Sequence, residues 1–111
     1  QIGGPTSAES LAEFTYSLLF SDISGEILHF SNKPPTTWHN FAEEIFSKAK
    51  KNKLIRNIPK LVKTNTSDLN LISKRPSSSI LCTSKIENLM SYHVPSWHDE
   101  VEQILNSMAN E

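Results

Sequence analysis

Trp38, Phe41, Ala42, Ile45, Phe46 and Ala49 fall at i, i+3, i+4, i+7, i+8 and i+11. Only a helix with one apolar face gathers such a set on one side. The spacing predicts a helix that starts near Thr36 or Thr37, with Trp38 anchored in a core. A one-sided helix must be covered, and this chain has little to cover it with. Of its 111 residues 37% are hydrophobic, on the low side for a globular domain. One small core is what this permits, and any apolar face left over needs a partner.

The remaining elements are shorter. Thr6-Ser7-Ala8-Glu9 has a capping-box pattern, and Leu11, Phe14, Thr15, Leu18 and Leu19 come after it at helical spacing. That helix is predicted to end near Ser21, with Gly25 in a turn. Residues 26–31 alternate weakly and are rich in Ile, Leu and Phe, which predicts a strand. Asn32 and the Pro34-Pro35 pair block regular structure. Residues 55–63 read as an extended piece broken by Pro59. Residues 64–74 form a polar excursion of the kind that often carries binding. A short strand over 79–82, with Cys82 as a buried filler, and a short helix over 83–91 are expected. Ser96-Trp97-His98-Asp99 caps a last helix striped by Trp97, Val101, Ile104, Leu105 and Met108. The order is mixed α/β, with strands too few and short for a self-sufficient doubly wound sheet.

Several kinds of chemistry are excluded. The three glycines stand at 3, 4 and 25, so no phosphate loop or dinucleotide fingerprint exists. No Cys/His cluster has metal spacing. Formal net charge is -1 and Arg56 and Arg75 are the only arginines, which argues against nucleic acid. Lys48, Lys50, Lys51 and Lys53 read as a solvated helix end suited to the macrodipole. No apolar run reaches membrane-spanning length. The lone Cys82 fits a reducing compartment, and a cytoplasmic protein is expected. The beginning, Gln1-Ile2-Gly3, reads as the middle of a longer chain.

Among single residues, His39 and His98 come directly after helix-starting tryptophans and read as exposed or capping groups, and His29 as a hydrogen-bonded core-edge residue. Trp38 and Trp97 read as core anchors. Arg75 precedes Pro76, which holds the backbone extended, and three serines come next. Composition favours a surface Arg at a strand end. A guanidinium is also well suited to a diphosphate, through bidentate charge-assisted hydrogen bonds.

Five segments, in order, resemble one family. Gln1-Ile2-Gly3-Gly4-Pro5-Thr6 is similar to a "DQ-x-G-x-P-T" segment, and Gly25 through Phe30 to "G-x-Y-H-F". Thr37-Trp38-His39-Asn40-Phe41-Ala42 resembles the start of "S-W-y-e-F-A-x-x-I-F". The run from Arg75 to Lys85 resembles "R-P-x-N-S-x-L-D-x-S-K", and Pro95-Ser96-Trp97 a final "P-x-W". The family is the dTDP-4-dehydrorhamnose reductases, of the extended short-chain dehydrogenase class. Ser78 departs from a common Asn and Cys82 from a common Asp, and residues 64–73 lack the usual pattern.

The resemblance implies a two-part enzyme that reduces dTDP-4-dehydro-L-rhamnose to dTDP-L-rhamnose with NADPH, Mg being associated with some members. The Rossmann part would hold NADPH and a catalytic Tyr-x-x-x-Lys. Neither Tyr16, with Phe20 four residues on, nor Tyr92, with Ser96, supplies that pair. Residues 1–111 would then be the C-terminal substrate-binding lobe, with 1–25 returning from the absent Rossmann core. No catalytic, cofactor or metal residue is expected in the chain. Substrate binding falls on Arg75 and Ser78. The implied partners are the dTDP-sugar, the Rossmann part and a second copy in a homodimer. The alternative is a non-catalytic relative that acts as a regulatory subunit, of the methionine adenosyltransferase type, or an interaction module.

Overall fold

The computed structural model describes all 111 residues. Strand β1 (Ile2–Gly3) leads to helix α1 (Ala8–Leu18), then β2 (Thr36–Thr37), α2 (Trp38–Lys51), a 3-10 turn (Thr66–Asp68), α3 (Ser84–Met90) and α4 (Trp97–Ala109). No helix is long and apolar enough to cross a membrane.

Two side-chain clusters hold the molecule. Ala49 of α2 and Trp97, Val101 and Leu105 of α4 form one, with Phe41, Ile45, Leu54 and Ile55 packed against it. Phe14, Ile86 and Val94 form the other, flanked by Leu18, Leu28, Phe30, Met90 and Tyr92. Phe14 stacks on Phe30 at 4.9 Å and meets Tyr92 edge-on at 5.1 Å, so an aromatic trio closes this second cluster.

The pieces are joined through Asn32, whose residue is only 1% exposed. Its Oδ1 accepts from the Ser7 N–H at 2.8 Å. Its Nδ2 donates to Ser10 Oγ at 2.8 Å and to the Pro95 carbonyl at 3.1 Å. The next residue continues the seam: Lys33 N–H donates to Pro95 O at 3.3 Å, and Trp97 N–H donates to Lys33 O at 2.7 Å. The Trp97 indole donates to Pro34 O at 2.8 Å. One short irregular stretch thus satisfies buried polar groups at the starts of both α1 and α4, as buried polar groups require.

The helices start where capping chemistry puts them, with one shift. Ser7, not Thr6, caps α1, its hydroxyl accepting from Ser10 N–H at 3.0 Å. Thr6 donates back to Gly4 O at 2.9 Å instead. Asn32 decides this, because it binds the Ser7 N–H and so places Ser7 at the boundary. Thr37 caps α2 and Ser96 caps α4. Lysines 48, 50 and 51 stand in the last turn of α2. Lys48 is not simply solvated, since it reaches Glu102 of α4 at 2.5 Å and Glu44 at 3.4 Å.

Five expectations change. Residues 26–31 form no strand. Leu28 and Phe30 turn inward and Ile27 and His29 outward, so the alternation is real, but no neighbouring backbone pairs with it. His29 is accordingly exposed. Residues 79–82 also form no strand, and Cys82 is exposed, 2.9 Å from Ser84 Oγ. The only two-stranded ladder pairs β1 with β2 antiparallel, Ile2 opposite Thr37 and Gly3 opposite Thr36. Finally, Trp38 is 62% exposed whereas Trp97 is 3% exposed. Phe41, Ile45 and Ala49 face α4, and Trp97 fills the space at that end of the interface, 5.4 Å from Phe41. No space in the core is left for a second indole.

This packing sets three stability outcomes. Trp97→Ala should cost about 3–5 kcal/mol, as large truncations in a core do, and Trp38→Ala less than about 1 kcal/mol, as exposed substitutions do. Urea unfolding of both variants checks the ranking. Asn32→Ala leaves buried partners unpaired at Ser7, Ser10 and Pro95, and each costs about 1–3 kcal/mol. Its urea midpoint should fall well below that of the wild type, and an unchanged midpoint would count against the seam as the joint of the fold.

The third concerns acid. A hydrogen bond from Lys48 holds the Glu102 carboxyl below its ordinary 4.5, and a bond from Lys33 does the same for Glu87. A carboxylate lowered in the folded state contributes stability above its unfolded pKa and loses it as pH falls through the folded value. Melting temperature should therefore decline as pH drops below about 4.5. Glu102→Gln should flatten part of that decline, and a fall as steep as wild type would exclude the pair as its source.

Candidate functional site

Gly3 brings the site together. A Cβ built on it would lie 2.6 Å from Ser79 Oγ, so a larger residue here would push that hydroxyl aside. On this side Ile2 N–H donates to Ser77 O and Ser79 N–H donates to Ile2 O, both at 2.8 Å. On its other side β1 pairs with β2, which runs directly into α2. A Cβ on Gly4 would meet Asn32 O at 2.9 Å, so the same turn is pressed against the buried seam. The Arg75 loop and the start of α2 are therefore fixed on opposite sides of one two-residue strand.

Between them lies an open cleft of about 260 Å³, lined by residues 1–5, Thr36, Thr37, Trp38, Phe41, Arg75, Pro76 and Ser79. Arg75 carries the only charged side chain on its walls, and no carboxylate lines it. Trp38 and Phe41 meet edge-on at 6.2 Å. Thr36, Thr37 and Ser79 add hydroxyls. A cation, aromatic faces and small polar groups in one concavity suit a ligand with both an anionic and a planar part. Gln1 Nε2 also donates to Thr66 Oγ1 at 3.1 Å, which ties the polar excursion to the cleft's rim.

The residues singled out from the sequence divide here. Arg75 lines the cleft. Ser78 stands beside it, bridged to Ile2 in parallel register, while its neighbour Ser79 reaches the wall. Trp38 joins the cleft after leaving the core. Nothing in the helical periodicity separated it from Trp97, because spacing reports a helix face and not what lies opposite. Cys82 lies in a different depression, with Ser31, Lys33, Thr83 and Glu87. Ser84 bonds hold its thiol below the usual range. The histidines have carboxylate neighbours that the sequence did not disclose: His98 Nδ1 is 3.3 Å from Glu44 and His39 Nδ1 is 3.5 Å from Glu43. Both lie away from the cleft's walls.

No three His, Cys, Asp or Glu side chains are gathered where they could hold a metal ion. Gly3 and Gly4 serve close packing, and no glycine-rich turn opens a helix to receive a dinucleotide. The donor set of this chain does not fit NADPH.

The chain has clear relatives. The RmlD substrate binding domain profile matches residues 1–110. The dTDP-4-dehydrorhamnose reductase of Aggregatibacter actinomycetemcomitans is 31% identical over 109 residues, covering 94% of this chain and 37% of that protein. The dTDP-4-dehydrorhamnose reductase of Escherichia coli K12 is 30% identical over 113 residues, covering 97% of this chain and 38% of that protein. The chain thus spans little more than a third of the length of these relatives. A crystal structure of dTDP-4-dehydrorhamnose reductase from Bacillus anthracis in complex with NADP superposes with a TM-score of 0.81 at 26% identity, over 93% of this chain and 34% of that one. The chain belongs to the RmlD substrate-binding domain family.

Proposed function

We propose that residues 1–111 are the C-terminal sugar-nucleotide-binding lobe of a dTDP-4-dehydrorhamnose reductase, working in the cytoplasm, with 1–25 returning from a nucleotide-binding part. In this reading the whole protein reduces dTDP-4-dehydro-L-rhamnose to dTDP-L-rhamnose. NADPH supplies the hydride from the other part, where the proton donor also resides. A second copy of the protein belongs to the same reading as a partner. The 111 residues alone do no redox chemistry, because they contain no cofactor site and no Tyr-x-x-x-Lys.

The observation that carries the reading is Arg75, the single charged side chain on a cleft with aromatic and hydroxyl walls. In this reading its guanidinium takes the diphosphate. Ser78, next to the wall, is the secondary candidate, through its hydroxyl. A second support is the outer surface of α1 and of the chain just beyond it, where Tyr16, Leu19, Phe20 and Ile27 are all exposed. So large an apolar surface on a small chain suits coverage by the remainder of a longer protein.

Loss of a charge-assisted contact costs about 1.5–3 kcal/mol, roughly ten- to a hundredfold in affinity. Arg75→Ala should weaken dTDP binding by that factor in calorimetric titration, with folding verified by circular dichroism. Arg75→Lys should recover only part, since an ammonium lacks the bidentate fork. Equal affinities for wild type and Arg75→Ala would return Arg75 to a surface residue at a loop and remove the support for the proposal.

A further inference from the structure

We infer that Trp38 is the platform on which the nucleobase of the bound nucleotide stacks, a role that rests on the sugar-nucleotide reading above. The starting point is an anomaly of exposure. A tryptophan at the first position of the best-patterned helix stands 62% exposed while its neighbours Phe41 and Ile45 pack inward. It lines the same cleft as Arg75, from the other side of β1. Its edge-on contact with Phe41 at 6.2 Å supports the indole from one side. Trp38 is thus an aromatic surface that the core does not use and that the cleft does.

The chemistry of the ligand decides which part meets it. A nucleoside diphosphate sugar has a charged middle and two different ends. If Arg75 takes the diphosphate, one end lies along this chain and the other leaves it. The sugar carbon to be reduced must reach a hydride donor and a proton donor, and this chain has neither. The sugar therefore leaves, and the nucleoside remains. The cleft, at about 260 Å³, falls below the roughly 300–1,000 Å³ usual for a whole drug-sized ligand. It is a fit for part of the nucleotide sugar and not for all of it. An indole facing a pyrimidine base is a stacking pair of ordinary strength, and alanine in its place typically costs binding by about five- to a hundredfold.

The test separates this inference from the reading beneath it by titrating two probes, dTDP and inorganic pyrophosphate, into wild type, Trp38→Ala, Trp38→Phe and Arg75→Ala. Trp38 is exposed, so its variants should stay folded, and retained pyrophosphate binding verifies that the anion site is intact. The expected result is a roughly five- to hundredfold loss of dTDP affinity in Trp38→Ala, largely recovered in Trp38→Phe, with pyrophosphate affinity unchanged in both. Wild-type tryptophan emission should change on adding dTDP, and that change should vanish in Trp38→Phe, which retains the buried Trp97. Binding of dTDP that depends on Arg75 but is the same in Trp38→Ala would overturn the stacking role and leave the sugar-nucleotide reading standing. Equal losses for dTDP and pyrophosphate in Trp38→Ala would also overturn it, by making Trp38 a support of the anion site alone. Failure of wild type to bind dTDP at all would overturn both.

Discussion

Asn32 is the joint on which the arrangement of this chain depends. Its amide uses both ends, accepting from the backbone at the start of α1 and donating to a side chain in α1 and to the backbone ahead of α4. A carboxamide is the group for this task, since it offers an acceptor and two donors a short distance apart without charge. A carboxylate of the same shape would bury a charge and lose the donors. Around the amide, Lys33 and Pro34 make three further hydrogen bonds with Pro95 and Trp97. The segment is irregular because its polar groups are spent on helix starts and not on a ladder.

That joint connects two clusters that are each too small to be a core alone. The α2–α4 cluster and the Phe14–Ile86–Val94 cluster share no buried residue. Hydrophobic burial therefore holds each half, and buried hydrogen bonds set how the halves meet. Charge pairs add at the edges: Lys48 with Glu102 between α2 and α4, Lys33 with Glu87, and Lys85 with Glu26. Such exposed pairs contribute modestly, and they orient elements more than they stabilise them. The chain just beyond α1 keeps Phe20 and Ile27 exposed, and the irregular 55–81 stretch keeps Val62 and Ile72 exposed. This distribution suits a lobe that is one side of a larger body.

The cleft is a consequence of the same joint. Gly4 rests against the Asn32 carbonyl, Gly3 against the Ser79 hydroxyl, and the Ile2–Gly3 backbone bonds to the Arg75 loop on one side and to the start of α2 on the other. Residues far apart in the sequence are thereby placed around one cleft. The two glycines act by omission, because a side chain at Gly4 would meet the Asn32 backbone and one at Gly3 would displace the Ser79 hydroxyl. Arg75 and Trp38 need no contact with each other to act on one ligand, since a rigid strand between them holds both.

The helices were legible before any contact was known, for a local reason. Capping serines and threonines and apolar residues three and four apart act within a few residues, so Thr37 and Ser96 mark real helix starts and Phe41, Ile45, Ala49, Val101 and Leu105 are real inward positions. The motif order also disclosed the family and singled out Arg75. Three things were left to the tertiary structure. Whether the alternation of Leu28 and Phe30 becomes a strand depends on a neighbouring backbone, and none is present to pair with it. Which tryptophan is buried depends on what stands across from the helix, and Trp97 occupies that space before Trp38 can. Which glycines matter, and that Ser79 and Trp38 share a cleft with Arg75, depends on contacts across most of the chain's length. Periodicity describes one element at a time, and a site is made where several elements meet.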